Sequence, residues 1–330
     1  MKIAVLGAGA WGTAIAIGLA ARHEVTLWVR NVELCTAMRS RRTNERYLPG
    51  FTLPAALRLE DALAEAVTGA ALVLVAVTSN GLRETLTGFK AARSAAPVVS
   101  LCKGFETARA LLPHEVHAEV LGTAAAHGVL SGPSFAEEVA RGLPTALTLA
   151  SPDADFARVA ARELHSPALR VYSGGDITGV EVAGAVKNVM AIAAGISDGL
   201  ALGLNARAAL ITRGLAEMTR LGVRLGGRVE TFMGLAGVGD LVLTCTGDLS
   251  RNRRVGLRLG EGDALDAILA ELGHVAEGVH TSRAVMRIAE RLGVDMPITA
   301  GVCRVLDDPA AARSAVQDLL KREPKAESWN

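Results

Sequence analysis

Lys187 is the residue of this chain whose chemistry is hardest to explain as packing. It stands in Gly184-Ala185-Val186-Lys187-Asn188-Val189-Met190-Ala191, inside a run that is otherwise small or apolar. The 35 basic residues include only six lysines: Lys2, Lys90, Lys103, Lys187, Lys321 and Lys325. A sequence that writes arginine almost everywhere therefore sets an ammonium in the middle of a helix patterned for burial. An unpaired buried ammonium is costly, so such a group has a partner, a shifted pKa or both. Unlike arginine, lysine can also give up its proton, so the chemistry to look for is proton transfer. At helical spacing its neighbours are Ala183, Gly184, Met190 and Ala191. Three of these are very small and leave room above the ammonium for a substrate. The competing reading is a lysine that snorkels to the surface or pairs with Glu181.

A second cluster sits near the start of the chain. Gly7-Ala8-Gly9-Ala10-Trp11-Gly12 follows the apolar run Ile3–Leu6 and opens a helical pattern. In that setting Gly7 permits a tight turn, Gly9 lets the backbone approach a pyrophosphate, and Gly12 allows close helix–strand packing. The helix amino terminus then offers N–H groups to the phosphates. An NAD-specific site places an acid about 20 residues further on, but here the second strand ends in Trp28-Val29-Arg30-Asn31. Arg30 could meet a 2′-phosphate instead, so NADP(H) is expected to be accepted at least as well as NAD(H). The alternative is that Arg30 is a solvated loop residue.

The elements that must position these groups follow from periodicity. Strands are predicted at Ile3–Leu6, Val25–Val29, Leu72–Ala76, Val98–Leu101, His127–Leu130, Thr145–Leu149 and Leu169–Val171. Helices are predicted at Trp11–Arg22, Val32–Arg41, Leu63–Val67, Asn80–Ala92, His114–Leu121 and Asp153–Leu164. The strands are rich in Val, Ile and Leu with little alternation, as parallel strands covered on both faces should be. Beyond about Thr178 the strand pattern stops and helices are predicted at Glu181–Gly195, Ala206–Leu221, Leu265–Glu271, Thr281–Leu292 and Thr299–Leu306. The expected fold is α/β, a Rossmann-like, doubly wound, mostly parallel sheet followed by an all-helical second domain. The boundary is placed at Ser173-Gly174-Gly175-Asp176, giving a dinucleotide-binding domain over 1–176 and a substrate domain over 177–330.

Composition agrees with a cytoplasmic enzyme. Half of the 330 residues are hydrophobic, 21% are charged, and the formal net charge is +1. That balance argues against nucleic-acid or membrane surfaces driven by bulk electrostatics. The opening apolar run is too short for a signal peptide or a membrane span. Cys35, Cys102, Cys245 and Cys303 are far apart and imply neither a disulfide framework nor a metal site. Cys102 and Cys245 read as small packing residues. His114 and His117 lie three apart without a third ligand and read as a surface pair. Glu137 and Glu138 suit the start of a helix. Arg253, Arg254 and Arg258 read as a solvated basic face.

The run Gly184–Gly195 resembles the signature of glycerol-3-phosphate dehydrogenases. Gly7–Gly12, Cys102-Lys103-Gly104, Ser131-Gly132-Pro133-Ser134-Phe135-Ala136, Gly239-Asp240-Leu241 and Ser250-Arg251-Asn252-Arg253 are similar to motifs of the bacterial NAD(P)-dependent members, in the same order. The resemblance implies interconversion of dihydroxyacetone phosphate and sn-glycerol 3-phosphate for phospholipid synthesis, by a homodimer. It implies Lys187 as general acid/base, Lys103 as a second active-site lysine, and Asp240 as the carboxylate beside them. Gly132, Ser134, Asn188, Thr244 and Ser250 would be further substrate contacts. Arg251 and Asn252 would hold the substrate phosphate. Gly7, Gly9, Ala10, Trp11, Gly12, Arg30, Lys103, Ala136, Arg251, Val275 and Glu277 would meet the cofactor. Ala10 departs from the many relatives with Ser there, which removes one hydroxyl contact.

Ketone reduction suits these residues. Hydride delivery builds negative charge on oxygen, which an ammonium stabilises and then protonates. The reverse reaction needs a neutral amine, and free lysine titrates at about 10.4. A second ammonium would lower that value and Asp240 would raise it. Arg251 offers a planar fork for phosphate oxygens. Two other readings fit less of the chain. A ketoacid reductase with a helical second domain, of the 3-hydroxyacid or pantoate type, leaves Arg251-Asn252 unexplained. A non-catalytic NADPH sensor has no use for Lys187 or Asp240.

Overall fold

The computed structural model describes residues 1–272 and 276–322. The chain forms two compact units, the first Met1–Glu106 with Leu111–Ile177, the second from Thr178 onward with Thr107–Ala110.

The first unit contains strands β1 (Lys2–Leu6), β2 (Glu24–Trp28), β3 (Thr43–Asn44), β4 (Leu48–Thr52), β5 (Arg58–Glu60), β6 (Leu72–Val75), β7 (Val98–Ser100), β8 (His127–Ser131), β9 (Thr145–Ala150) and β10 (Leu169–Gly174). They alternate with helices α1 (Ala10–Leu19), α2 (Val32–Arg41), α3 (Leu63–Val67), α4 (Leu82–Ala91), α5 (Pro113–Leu121), α6 (Ala136–Ala140) and α7 (Ala154–Leu164). An eight-stranded sheet runs in the order β10-β9-β8-β7-β6-β1-β2-β5. Every pair is parallel except β8 with β9, whose register sets Leu130 against Leu149. Alternate residues of β1 enter different cores: Ile3 and Val5 join Ile15, Leu27 and Leu74 on one face, whereas Ala4 and Leu6 join Leu86, Phe89 and Val75 on the other. Apolar residues at both parities are what a sheet covered on both faces demands. β1 lies between β2 and β6, the point at which strand order reverses and α/β sheets bind ligands. The short antiparallel hairpin β3–β4 and the strand β5 were absent from the sequence expectation.

The second unit is helical: α8 (Ile177–Gly199), α9 (Gly203–Arg224), α10 (Val229–Phe232), a π turn over Leu235–Gly239, α11 (Asp240–Thr246), α12 (Arg251–Glu261), α13 (Leu265–Leu272), α14 (Glu277–Leu292), α15 (Pro297–Asp307) and α16 (Ala312–Leu320). By length and composition Ile177–Gly199 and Val229–Thr246 could each cross a membrane, yet the most apolar window of α8 is wholly buried within the protein, as befits a core helix. α12 runs against α8 through glycines on both helices. A Cβ on Gly256 would stand 2.0 Å from the Ile192 carbonyl oxygen, and one on Gly195 would stand 2.0 Å from that of Arg253.

Candidate active site

The glycine loop lies at the reversal point of the sheet. Gly7 follows β1 with φ +119°, and a Cβ there would meet the Ala76 carbonyl oxygen at 2.6 Å, just past β6. A Cβ on Gly12 would stand 1.9 Å from the Gly7 carbonyl oxygen, so α1 can press onto the turn only without a side chain. Gly9 differs, having nothing within 4 Å of its Cβ direction. It is also the N-cap of α1 and provides no side-chain cap for the first turn. A turn packed tight on two sides, open on the third, and leading into the first N–H groups of a helix without a side-chain cap fits a dinucleotide pyrophosphate. Buried Asn44, on β3, fixes the loop by donating Nδ2 to the Ala8 carbonyl (2.9 Å) and to Thr13 Oγ1 (2.8 Å). Asn44 was not singled out from sequence, where an Asn among Arg42, Thr43 and Glu45 reads as a turn. Ala10, Trp11 and Ala136, three expected cofactor contacts, gather in one small cluster with Ala14 and Leu48.

Arg30, past the end of β2, is exposed and pairs with Glu84 of α4 at 3.2 Å. Lys103, beyond β7, donates to the Gly132 carbonyl at 2.9 Å, and Ser134 Oγ donates to the same oxygen at 3.0 Å. Gly132 holds φ +143°. The three expected contacts Lys103, Gly132 and Ser134 thus form one cluster. His117 is not on the surface as expected. It is buried, stacks on His127 at 4.3 Å between ring centroids, and burial pushes its pKa down to about 4. Glu137 sits in the first turn of α6 and pairs with Arg141.

In the helical unit Lys187 is buried on α8 and pairs with Asp240. Nζ lies 2.5 Å from Asp240 Oδ1 and 2.9 Å from Thr244 Oγ1. Thr244 Oγ1 in turn donates to the Asp240 backbone carbonyl at 2.6 Å. Asp240 and Thr244 lie one helical turn apart on α11, directly after the π turn. That turn adds a residue per turn and so resets which face of the following helix points inward. A Cβ on Gly237, inside it, would stand 2.0 Å from the Phe232 carbonyl oxygen. The arrangement is a buried ion pair that a hydroxyl also hydrogen-bonds, the kind of geometry in which such a pair is tolerated. Cys245, next to Thr244, is buried, and desolvation pushes its thiol up to about 12, in keeping with a packing role.

Asn188 accepts at Oδ1 from Asn252 Nδ2 at 3.0 Å. Asn252 Oδ1 accepts from the Gly278 backbone N–H, also at 3.0 Å. The carboxamide of Asn252 therefore bridges α8 and the first turn of α14, where Glu277 is the first residue, and retains one N–H for a ligand. Ser250 caps α12 by accepting from the Arg253 N–H. Arg251, first residue of α12, is exposed and among the described residues makes no hydrogen bond or ion pair. Arg253 and Arg258 are not the solvated face expected of them. Arg253 pairs with Asp198 and Asp248, each at 2.9 Å, and Arg258 pairs with Asp263 and Glu271. Val275 lies outside the described residues.

Comparison with known proteins shows the family. Residues 2–157 match the family described as NAD-dependent glycerol-3-phosphate dehydrogenase N-terminus, and residues 176–317 match the corresponding C-terminus. The chain belongs to the NAD-dependent glycerol-3-phosphate dehydrogenase family. It is 60% identical to the glycerol-3-phosphate dehydrogenase [NAD(P)+] of Nitrosospira multiformis over the whole of both chains. It is 57% identical to that of Dechloromonas aromatica over 99% of each. The crystal structure of the glycerol-3-phosphate dehydrogenase of Coxiella burnetii is 44% identical, superimposes with a TM-score of 0.93, and is matched over 97% of this chain and 99% of that one.

Proposed function

We propose that this protein catalyses the reversible, NAD(P)H-dependent reduction of dihydroxyacetone phosphate to sn-glycerol 3-phosphate. The observation that carries the reading is the buried Lys187–Asp240–Thr244 cluster in a chain of this family. Bound NAD(P)H supplies the hydride. Lys187 stabilises the negative charge that grows on the carbonyl oxygen and delivers the proton that completes the alcohol. Asp240, at 2.5 Å, holds the Lys187 side chain in place for that proton transfer. Lys103 is the second active-site lysine, and Ser134 and Gly132 are further substrate contacts. Arg251 forks onto the phosphate, and Asn252, Asn188, Thr244 and Ser250 complete the substrate contacts. Gly7, Gly9, Ala10, Trp11, Gly12, Arg30, Lys103, Ala136, Arg251, Val275 and Glu277 hold the cofactor. We further propose that the enzyme is a cytoplasmic homodimer that supplies the glycerol phosphate of phospholipids.

The test is spectrophotometric: NADPH oxidation followed with dihydroxyacetone phosphate and, separately, with unphosphorylated ketoacids. The expected result is turnover with the phosphorylated ketone alone. Turnover with ketoacids only would overturn the assignment in favour of a ketoacid reductase, and no turnover with either would leave a nucleotide sensor.

A further inference from the structure

Asp198 has no part in the chemistry described above, yet its bonding is unusual. It sits in the last turn of α8 with its side chain buried. Oδ1 accepts from Arg207 Nε at 2.7 Å and lies 2.6 Å from the same guanidinium's Nη2. Oδ2 accepts from Arg253 Nε at 2.9 Å. Each carboxylate oxygen thus serves a different guanidinium, one from α9 and one from α12. Arg253 is held elsewhere as well: Nη1 donates to Asp248, and its backbone N–H is capped by Ser250 Oγ at 3.3 Å. The first turn of α12 is therefore fixed through the side chain and the backbone of one residue. Arg251 lies two residues earlier on that turn and, among the described residues, makes no hydrogen bond or ion pair, so the turn sets its direction.

We propose that Asp198 is a positioning residue for phosphate recognition: by anchoring Arg253 it fixes the first turn of α12 and aims the Arg251 guanidinium at the substrate phosphate. This role rests on the assignment of Arg251 as the phosphate ligand. Placement of a charged fork matters because misplacing a binding group by about 1 Å can cost up to about a hundredfold.

The experiment uses the full-length enzyme. Asp198→Asn keeps the shape of the side chain but replaces one accepting oxygen with an amide that cannot accept. It is expected to raise KM for dihydroxyacetone phosphate about tenfold while kcat stays within about threefold and Kd for NADPH within about twofold, the pattern of lost substrate binding. Arg253→Lys, which keeps the charge but not the fork, is expected to act in the same direction and serves if Asp198→Asn does not fold. Arg207→Gln leaves the Asp198–Arg253 arm in place and is expected to leave KM near that of the parent. In an Arg251→Ala background, Asp198→Asn is expected to add nothing further to KM, because residues acting through one group are not additive. Equal effects on KM and on the NADPH Kd would overturn the proposal. So would an Arg207→Gln effect as large as that of Arg253→Lys, or a full additional rise in the Arg251→Ala background. An Arg251→Ala variant with parental KM would instead show that the phosphate assignment itself is wrong, and this role would fall with it.

Discussion

Gly256 and Ile192 meet backbone to backbone, so close that even a methyl group on Gly256 would stand 2.0 Å from the Ile192 carbonyl oxygen. That approach lets the two short carboxamides of Asn188 and Asn252 bond directly across the helix pair at 3.0 Å. Gly256→Ala must push α12 away. Overpacking of this kind costs about 1–3 kcal/mol, so the variant is expected to lose that much in urea denaturation and to show a raised KM for the phosphorylated ketone. Parental stability would mean that the helices are not in this contact.

Lys187 and Asp240 lie 53 positions apart in sequence, and each makes the burial of the other tolerable. Lys187→Met leaves Asp240 buried without that cation and is expected to cost about 3–5 kcal/mol near neutral pH. It is also expected to lower kcat at least about a thousandfold while NADPH still binds. Lys187→Met combined with Asp240→Leu is expected to regain most of the stability and none of the activity. Denaturation and kcat measured on the same preparations separate the two effects, and a Lys187→Met enzyme within tenfold of parental kcat would refute the acid/base role.

The exposed pair between Arg30 and Glu84 (3.2 Å) contributes about 0–1 kcal/mol, little enough for a 2′-phosphate to displace. Arg30→Ala is therefore expected to lower kcat/KM for NADPH more than for NADH. Glu84→Gln is expected to do the opposite, favouring NADPH by removing a like charge from its phosphate. Measuring both nucleotides with each variant decides the matter; unchanged ratios would make Arg30 an ordinary surface residue.

Two buried groups give stability opposite slopes with pH. Glu217 on α9 accepts from the Ile298 and Thr299 N–H groups that begin α15, and burial raises its carboxyl from 4.5 to about 7. A raised acid is favoured protonated in the fold. Its contribution is complete below pH 4.5 and is lost as pH rises through about 7. His117, lowered from 6.5 to about 4, behaves the other way, contributing fully above 6.5 and losing that contribution as pH falls through about 4. Thermal melts from about pH 3.5 to about pH 8 should show Glu217→Gln flattening the decline toward neutral pH and His117→Phe flattening the acid side. A variant whose melting profile stays parallel to the parent's would rule out linkage at that residue.

Most of the sheet was legible because its strands are buried on both faces. Runs such as Leu72–Val75 need no alternation to be recognised, and seven of the expected strands are present. The hairpin β3–β4 escaped because β3 has only two residues and β4 carries Pro49 and Gly50. The reversed direction of β9 leaves no mark on its composition. α12 escaped for a different reason. Its buried residues are only Val255, Gly256 and Leu259, and the glycine packs by having no side chain, so the apolar stripe is too short to announce it. The π turn hid α11 by breaking the 3.6-residue period just before Asp240. Arg253 was misread because its anchor, Asp198, lies 55 positions away and nothing local points to it. The pairing of Lys187 was readable because an ammonium in so apolar a run demands a partner, and the family resemblance pointed to Asp240 as that carboxylate.

The carboxylate and hydroxyl that hold Lys187 belong to the same compact unit as the lysine itself, whereas Arg30 and the glycine loop belong to the other. On the proposed roles, nucleotide choice can therefore drift, through changes around Arg30, without retuning Lys187. A descendant of this enzyme could change the currency of its electrons while keeping its acid intact.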